Sequence, residues 1–327
     1  MGKRRIRCLR ALGVEKIVGF DPRADRRAEV EGLWEGIRCE ETFERAALDR
    51  RYAAWIISVP PAQHVEYIKQ AVQHGTSFFV EASVVDSGLE DAARAVTEAG
   101  IVGAPSRTLC YHPAIKQVKR IVASGELGKL SNVLLHSGQY LPDWHAYEDV
   151  SEYYVSDPAT GGGREIVPFE LTWFTDVFGL PQRVTGNFRR TIHIRGAEKI
   201  DDTYNCLLDY GDHLAVVTVD VVSRYATRRL LINGSEKQLQ WSWDDPHVRV
   251  YDPRSGAWVS HEYSAAPAAA GYNPNISEGM YLEETEAFLN AVRGISKYPG
   301  TLQMDHEVLK ILYQIELSDR TSEIVRL

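Results

Sequence analysis

Met1-Gly2-Lys3-Arg4-Arg5-Ile6-Arg7-Cys8-Leu9-Arg10-Ala11-Leu12-Gly13 reads as a helix. It runs into Val14-Glu15-Lys16-Ile17-Val18-Gly19-Phe20, a short apolar strand that ends on Asp21. A helix feeding a strand capped by an acid is the back half of a dinucleotide-binding βαβ unit. The front half would be an apolar strand and the opening glycines of G-x-G-x-x-G, and neither precedes this helix. Gly2 stands where the last of those glycines would fall. The part not seen is the one that cradles a pyrophosphate at a helix N-terminus. In a sheet of order 3-2-1-4-5-6 the first strand is central. The expectation is therefore either a natural start upstream of Met1, or a sheet whose central slot is empty or taken by another segment. In the second case cofactor binding by this chain is expected to be weak or absent.

Outward from that stretch, the first hundred residues alternate short apolar strands (16–20, 53–59, 77–81, 101–104) with amphipathic helices (3–12, 23–33, 62–74, 87–99), the pattern of a parallel sheet. From about residue 105 the pattern changes. A helix at 113–124 leads into a strand at 130–140, then a polar and aromatic loop at 141–160. Gly161-Gly162-Gly163 opens a helix carrying Pro168 in its first turns. Strand-like runs follow at 182–194, 202–210, 213–224, 228–233, 237–243, 247–252 and 257–263, divided by turn signals such as Tyr210-Gly211-Asp212. A loop at 264–275 and helices at 278–293 and 304–322 close the chain. The fold class expected is α/β. A Rossmann-like parallel sheet, without its first strand, occupies 1–106. An α+β domain with an open, mostly antiparallel sheet occupies 107–327, its final helices packing back towards the first domain.

The bulk properties exclude several classes of function. The 327 residues, 44% hydrophobic and 25% charged, suffice for two domains with a sizeable core. A net charge of −8 disfavours nucleic acid as a partner. Lys3, Arg4, Arg5, Arg7 and Arg10 read as one solvated helix face. Cys8, Cys39, Cys110 and Cys206 show no C-x-x-C spacing, which fits a reducing compartment and argues against a zinc site or a disulfide framework. No metal ligand set is expected. There is no apolar signal region and no membrane-spanning run, so a cytoplasmic location is expected.

In a doubly wound sheet ligands gather at the carboxyl ends of the strands, and Asp21, Ser58 and Glu81 fall there. An acid at the Asp21 position accepts hydrogen bonds from a ribose 2′-hydroxyl and repels a 2′-phosphate, which favours NAD over NADP. Arg23 could offset part of that repulsion. Asp21-Pro22 is also an ordinary turn opener.

Ser58-Val59-Pro60-Pro61 with His64, then Phe79-Val80-Glu81, Tyr111-His112-Pro113, Ser124-Gly125-Glu126-Leu127-Gly128-Lys129 and Gly161-Gly162-Gly163 follow one another in an order that resembles the glucose–fructose oxidoreductase / inositol dehydrogenase (Gfo/Idh/MocA) family. The resemblance runs from Gly2 to the final helix. It implies a Rossmann domain, an open-faced α/β domain that serves as substrate platform and oligomer interface, and hydride exchange between NAD(P) and a sugar, sugar nucleotide or polyol. It places Gly2, Asp21, Arg23, Ser58, Pro60, His64 and Glu81 at the cofactor. It also implies a homodimer or homotetramer through the C-terminal sheet, with a small carbohydrate-like substrate and no nucleic acid or membrane partner.

Two departures bear on catalysis. The resemblance implies a Glu-Lys-Pro signature after the strand at 77–80, and this chain reads Glu81-Ala82-Ser83, so a methyl group that cannot donate, accept or carry charge stands in the lysine slot. The helix after the three glycines should carry a histidine; Glu170 falls nearest that slot, with Glu165 five residues before it. A glutamate in an apolar pocket can titrate near neutrality, whereas Glu170 could equally pair with an arginine. In the 139–154 loop, His145 is the candidate replacement acid or base, or an ordinary surface histidine. Asp143, Trp144 and Tyr154, with Arg107 and Tyr111 from the start of the second domain, are the substrate-binding candidates; Arg107 reads alternatively as a helix-end ion pair. The activity expected is hydride transfer with an altered acid–base set. Two other readings stay open, a binding or assembly module without turnover and a lyase or glycosidase that uses NAD transiently.

Overall fold

The parallel part of the molecule is two small sheets rather than one. The computed structural model describes residues 1–48, 52–144, 148–269 and 276–327. Its first half runs α1 (Gly2–Ala11), β1 (Val18–Phe20), α2 (Ala24–Leu33), β2 (Arg38–Glu40), α3 (Phe43–Ala47), β3 (Trp55–Ile57), α4 (His64–Gln73), β4 (Phe78–Val80), α5 (Leu89–Ala99) and β5 (Gly103–Pro105). β1 pairs with β2, and β4 lies between β3 and β5, all in parallel. Among the described residues no segment hydrogen-bonds between β1 and β3. Aromatic packing joins the two sheets instead: Phe43 of α3 stacks edge-on to Phe20 of β1, Trp55 of β3 and Tyr67 of α4.

Local causes are plain in the helices. α5 buries Leu89, Ala92, Ala93 and Val96, the i, i+3, i+4, i+7 stripe of a helix with one face on a core, and stops at Gly100, whose φ of +65° a side chain would resist. β4 reads Phe-Phe-Val and is buried at every position, as a strand covered on both faces must be. β2 and α3 are elements the sequence did not announce. β2 is three residues, Arg-Cys-Glu, held by its ladder to β1 and not by buried side chains.

The second half adds α6 (Pro113–Ser124), β6 (Leu130–Gly138), α7 (Gly163–Phe178), β7 (Arg183–Arg189), β8 (Thr203–Asp209), β9 (Leu214–Asp220), β10 (Thr227–Gly234), β11 (Gln238–Ser242), β12 (His247–Asp252), β13 (Ala257–Glu262), α8 (Glu278–Val292), α9 (Leu302–Thr321) and β14 (Val325–Arg326). One nine-stranded sheet runs β13-β12-β11-β10-β6-β9-β8-β7-β14, antiparallel except for the central β6–β9 pair. α6, α7 and α9 cover one face. α8 packs against α1, and α9 against α5, so the closing helices reach back to the first half.

Two expected strands end early, and one expected loop is structured. The strand expected at 182–194 ends at Arg189, because the Asp202 carboxylate takes the amides of Thr191 and Ile192 and pulls the chain out of the ladder. The strand expected at 213–224 ends at Asp220, whose own carboxylate accepts from the amides of Val222 and Ser223. The 141–160 loop contains 3-10 turns at Leu141–Asp143, Val150–Glu152 and Tyr154–Ser156, and it packs Leu141, Val150 and Val155 against Ile194, Ala197 and Ile200. At the glycine triplet, a Cβ on Gly161 would lie 2.0 Å from the Val155 carbonyl oxygen, so the helix can start against that loop only without side chains.

Candidate functional site

A cavity of about 1600 Å³ lies along the carboxyl ends of β1, β3 and β4 and continues to the ends of β6, β9 and β10 at the centre of the nine-stranded sheet. Its volume exceeds the roughly 300–1,000 Å³ usual for one small ligand. Gly2, Asp21, Arg23, Ser58, Pro60, His64 and Glu81 all line it. At one end, Asp21 turns one carboxylate oxygen onto the amide of Arg23, 2.9 Å away. His64 is buried with Nε2 3.0 Å from the Val59 carbonyl. Burial pushes its imidazole down to about 4, so it is neutral at ordinary pH and braces the turn after β3.

Midway, Glu81 closes β4 and is held by a residue read from sequence as solvated. Arg4 and Arg5 are 2% and 1% exposed, because α1 turns them inward with Cys8 and Leu9, one turn later on the same face. Arg5 grips Glu81 with Nε to Oε1 at 2.8 Å and Nη2 to Oε2 at 2.9 Å. Its Nη1 reaches Glu284 of α8 at 2.9 Å. The Ser58 hydroxyl donates to Glu81 at 3.1 Å. Burial alone would raise the Glu81 carboxyl, but the Arg5 charge and hydrogen bonds outweigh it and hold the group below its ordinary range. Glu284 goes the other way, raised by burial with Arg5 only partly compensating. The Arg5 grip leaves Glu81 an oriented, ionised acceptor at the middle of the cavity.

At the far end, the Tyr154 hydroxyl donates to Oε1 of Glu165 at 2.6 Å. The other carboxylate oxygen of Glu165 is shut off from solvent and has no partner among the described residues. Burial raises this carboxyl to about 7, and the Tyr154 bond draws it back only in part. Tyr154 is held well above its ordinary value, first by burial and then by the charge of Glu165, with Glu81 near enough to add to the effect. A buried acid poised near neutrality and bonded through one oxygen to a phenol on the cavity wall can take up or deliver a proton through that phenol.

Glu170 is differently placed. It is fully buried behind the cavity wall; Oε1 accepts from Arg228 Nε at 3.0 Å and from Ser137 at 2.8 Å, and Oε2 accepts from the Trp173 indole at 2.7 Å. Both oxygens are engaged, so the structure gives Glu170 an arginine partner and no opening to the cavity. Arg107 also has an ion pair, Nη2 to Asp176 at 2.9 Å, while its Nη1 donates to the Pro299 carbonyl at 2.7 Å. Arg107, Tyr111 and Asp143 stand outside the lining, whereas Trp144, Tyr154 and Glu165 are part of it. His145 lies outside the described residues.

Sequence reasoning left several lining residues unassigned. His112 caps α6 by accepting the Ala114 amide on Nδ1, so the neutral ring carries its proton on Nε2; burial and then the Arg228 charge push it down to about 3. Asp220 accepts from His136 Nε2 at 2.7 Å. Glu148 of the second half faces Arg23, which precedes α2, and Arg26 within it. Only long-range packing brings these together. The one legible signal was the four-residue spacing of Arg4 with Cys8 and Arg5 with Leu9. Among the described residues no group of three His, Cys, Asp or Glu side chains is arranged to hold a metal ion, and no helix is long and apolar enough to cross a membrane.

Residues 115–240 match the family model of the GFO/IDH/MocA C-terminal domain. A curated relative, the uncharacterized oxidoreductase YhhX of Escherichia coli K12, is 22% identical over 175 residues, a match spanning 53% of this chain and 48% of the relative. The chain thus spans about half the length of that protein. Among solved structures, GenD2 from gentamicin A biosynthesis, in complex with NAD, superposes with a TM-score of 0.82 at 16% identity, covering all of this chain and 93% of the other. Levoglucosan dehydrogenase, in complex with NADH and levoglucosan, superposes with a TM-score of 0.81 at 15% identity, covering 95% and 90%. Residues 115–240 thus carry the sequence pattern of a GFO/IDH/MocA C-terminal domain, and the whole chain shares the fold of these two structures.

Proposed function

We propose that this chain is a nicotinamide-dependent oxidoreductase acting on a sugar or polyol, with NAD as the cofactor and the Tyr154–Glu165 pair as its acid–base device. The observation that carries the reading is that pair: a carboxyl raised to about 7, hydrogen-bonded at 2.6 Å to a phenol, on the cavity wall that also carries Glu81. The superposed relatives with NAD, or with NADH and levoglucosan, support the choice of cofactor and substrate class.

The residues present fit the ribose and nicotinamide ends of a dinucleotide. Asp21 stands at the end of β1, where an acid accepts from a ribose hydroxyl. Ser58, Pro60 and the Glu81 carboxylate held by Arg5 line the path onward. When bound, the nicotinamide would accept or return a hydride. The protein's task is the accompanying proton. In the oxidising direction a substrate hydroxyl loses its proton to the Tyr154 oxygen as the phenol passes its own to Glu165. The phenol need not ionise as a separate species, and Ala82 is asked to do nothing. In the reducing direction the protonated Glu165 returns it.

Division of the chain after residue 106 belongs to the same reading; β5 ends at Pro105, and the chain then leaves for α6. So does pairing of two chains through the uncovered sheet face. There Leu207, Val216, Leu134 and Leu231 stand in register across four strands, with Leu207 54% and Leu134 40% exposed.

The test is turnover of NAD with a panel of unphosphorylated sugars and polyols, wild type against Tyr154→Phe and Glu165→Gln. Loss of one proton-transfer partner should lower kcat by about 10²-fold or more. In wild type, oxidation should rise with pH through about 7 and reduction should fall. Unchanged kcat in both variants would remove the assignment.

A further inference from the structure

The ribose end of the cavity carries a feature that a βαβ unit alone does not explain. Three arginines, Arg23, Arg26 and Arg27, follow Asp21 at the start of α2 and line the cavity beside it. Arginines in that place suit a 2′-phosphate, since the guanidinium fork binds phosphate bidentately. Each of the three is already engaged. Arg23 makes two bonds to Asp25, at 3.2 and 2.7 Å, and stands 3.7 Å from Glu148. Arg26 lies 3.3 Å from the same Glu148 oxygen. Arg27 donates to the carbonyls of Asp21 and Pro22 at 2.7 and 2.9 Å. Asp25 belongs to α2 itself, but Glu148 comes from the second half of the chain, more than a hundred residues away in sequence.

We propose that Glu148 is a specificity-determining residue. It spans from the substrate domain to the ribose end of the first domain and rejects a 2′-phosphate. It acts in two ways, by neutralising Arg23 and Arg26 and by placing its own carboxylate where the added phosphate would seek them. Its side chain is 13% exposed, against 50% and 47% for the two arginines, so the anion is the more enclosed member of a cluster that lines the cavity. An exposed ion pair is worth little for stability. Like charge held beside a dianionic phosphate is a larger effect, because it penalises one ligand and leaves the other untouched. Selectivity for NAD then has two sources, Asp21 at the strand end and Glu148 from across the cavity, and the ambiguity of Arg23 in the sequence is resolved by a residue far from it.

This inference rests on the nicotinamide reading above, and the experiment separates the two. NADH, NADPH, 5′-AMP and adenosine 2′,5′-bisphosphate are titrated into wild type, Glu148→Gln and the double variant Glu148→Gln/Arg26→Gln by calorimetry. Wild type should prefer NADH. Glu148→Gln should tighten NADPH and the bisphosphate by about tenfold with NADH and 5′-AMP changed by less than about twofold. The double variant should lose the part of that gain that the freed Arg26 supplies. NADPH binding unchanged in Glu148→Gln, with NADH binding intact, overturns the role of Glu148 and leaves the nicotinamide reading standing. A wild type that prefers NADPH also overturns it. Binding of neither dinucleotide by any of the three proteins removes the nicotinamide reading and this inference with it.

Discussion

Glu165→Gln gives a prediction that needs no substrate. The native carboxyl titrates at about 7 because it is buried, whereas the same group in an unfolded chain titrates near its ordinary 4.5. Between those values the native state holds a proton that the unfolded state has lost. Stability therefore falls as pH rises through that window and levels off above it. At 1.36 kcal/mol for each pH unit, the gap corresponds to about 3 kcal/mol at the alkaline end. Glutamine keeps the acceptor for Tyr154 and cannot ionise, so it escapes this loss. It also places an amide where Oε2 has no partner, a constant cost of about 1–3 kcal/mol that does not vary with pH. The assay is urea unfolding of both proteins at about pH 5 and about pH 9, well to either side of the native titration. Relative to wild type, the variant should gain about 3 kcal/mol between the two. A difference that does not change with pH would refute the claim that Glu165 is held protonated by burial, and with it the basis for its acid–base role.

Arg5→Met should destabilise the protein by about 3–5 kcal/mol, because it leaves Glu81 and Glu284 buried without their shared cation; thermal and urea unfolding would measure this, and a loss under about 1 kcal/mol would mean the two acids find other partners. Leu207→Arg should convert a dimer to a monomer in sedimentation velocity, since it sets a charge in the apolar row of the open sheet face while leaving the covered face untouched; unchanged sedimentation would exclude that face as the contact.

How much was legible follows from where each signal lives. The βαβ reading of residues 1–21 needed only a helix, an apolar strand and an acid in order. The glycine triplet announced the helix it opens and the later strand-like runs a mostly antiparallel sheet, and both formed. β2 and β14 escaped because very short strands are made by backbone pairing, which leaves little trace in side-chain pattern. Asp202 and Asp220 ended strands early by binding backbone amides, a choice that depends on neighbours the sequence does not name.

The site divides along the same line. Asp21, Ser58 and Glu81 sit at strand ends, so their approach to one cavity follows from the order of parallel strands alone. The charge states do not follow from order. Glu165 and Glu170 are one residue type on one helix, five positions apart. The helix turns Glu170 onto Arg228, where it is saturated, and Glu165 onto Tyr154, where burial lifts its carboxyl and one oxygen has no partner among the described residues. Arg5 looked like one of five solvated cations until the fold closed α8 over it. Local order and hydrophobic period are properties of the chain and can be read along it. Burial and charge pairing are made by segments as distant as Arg5 and Glu284, and the folded structure alone decides them.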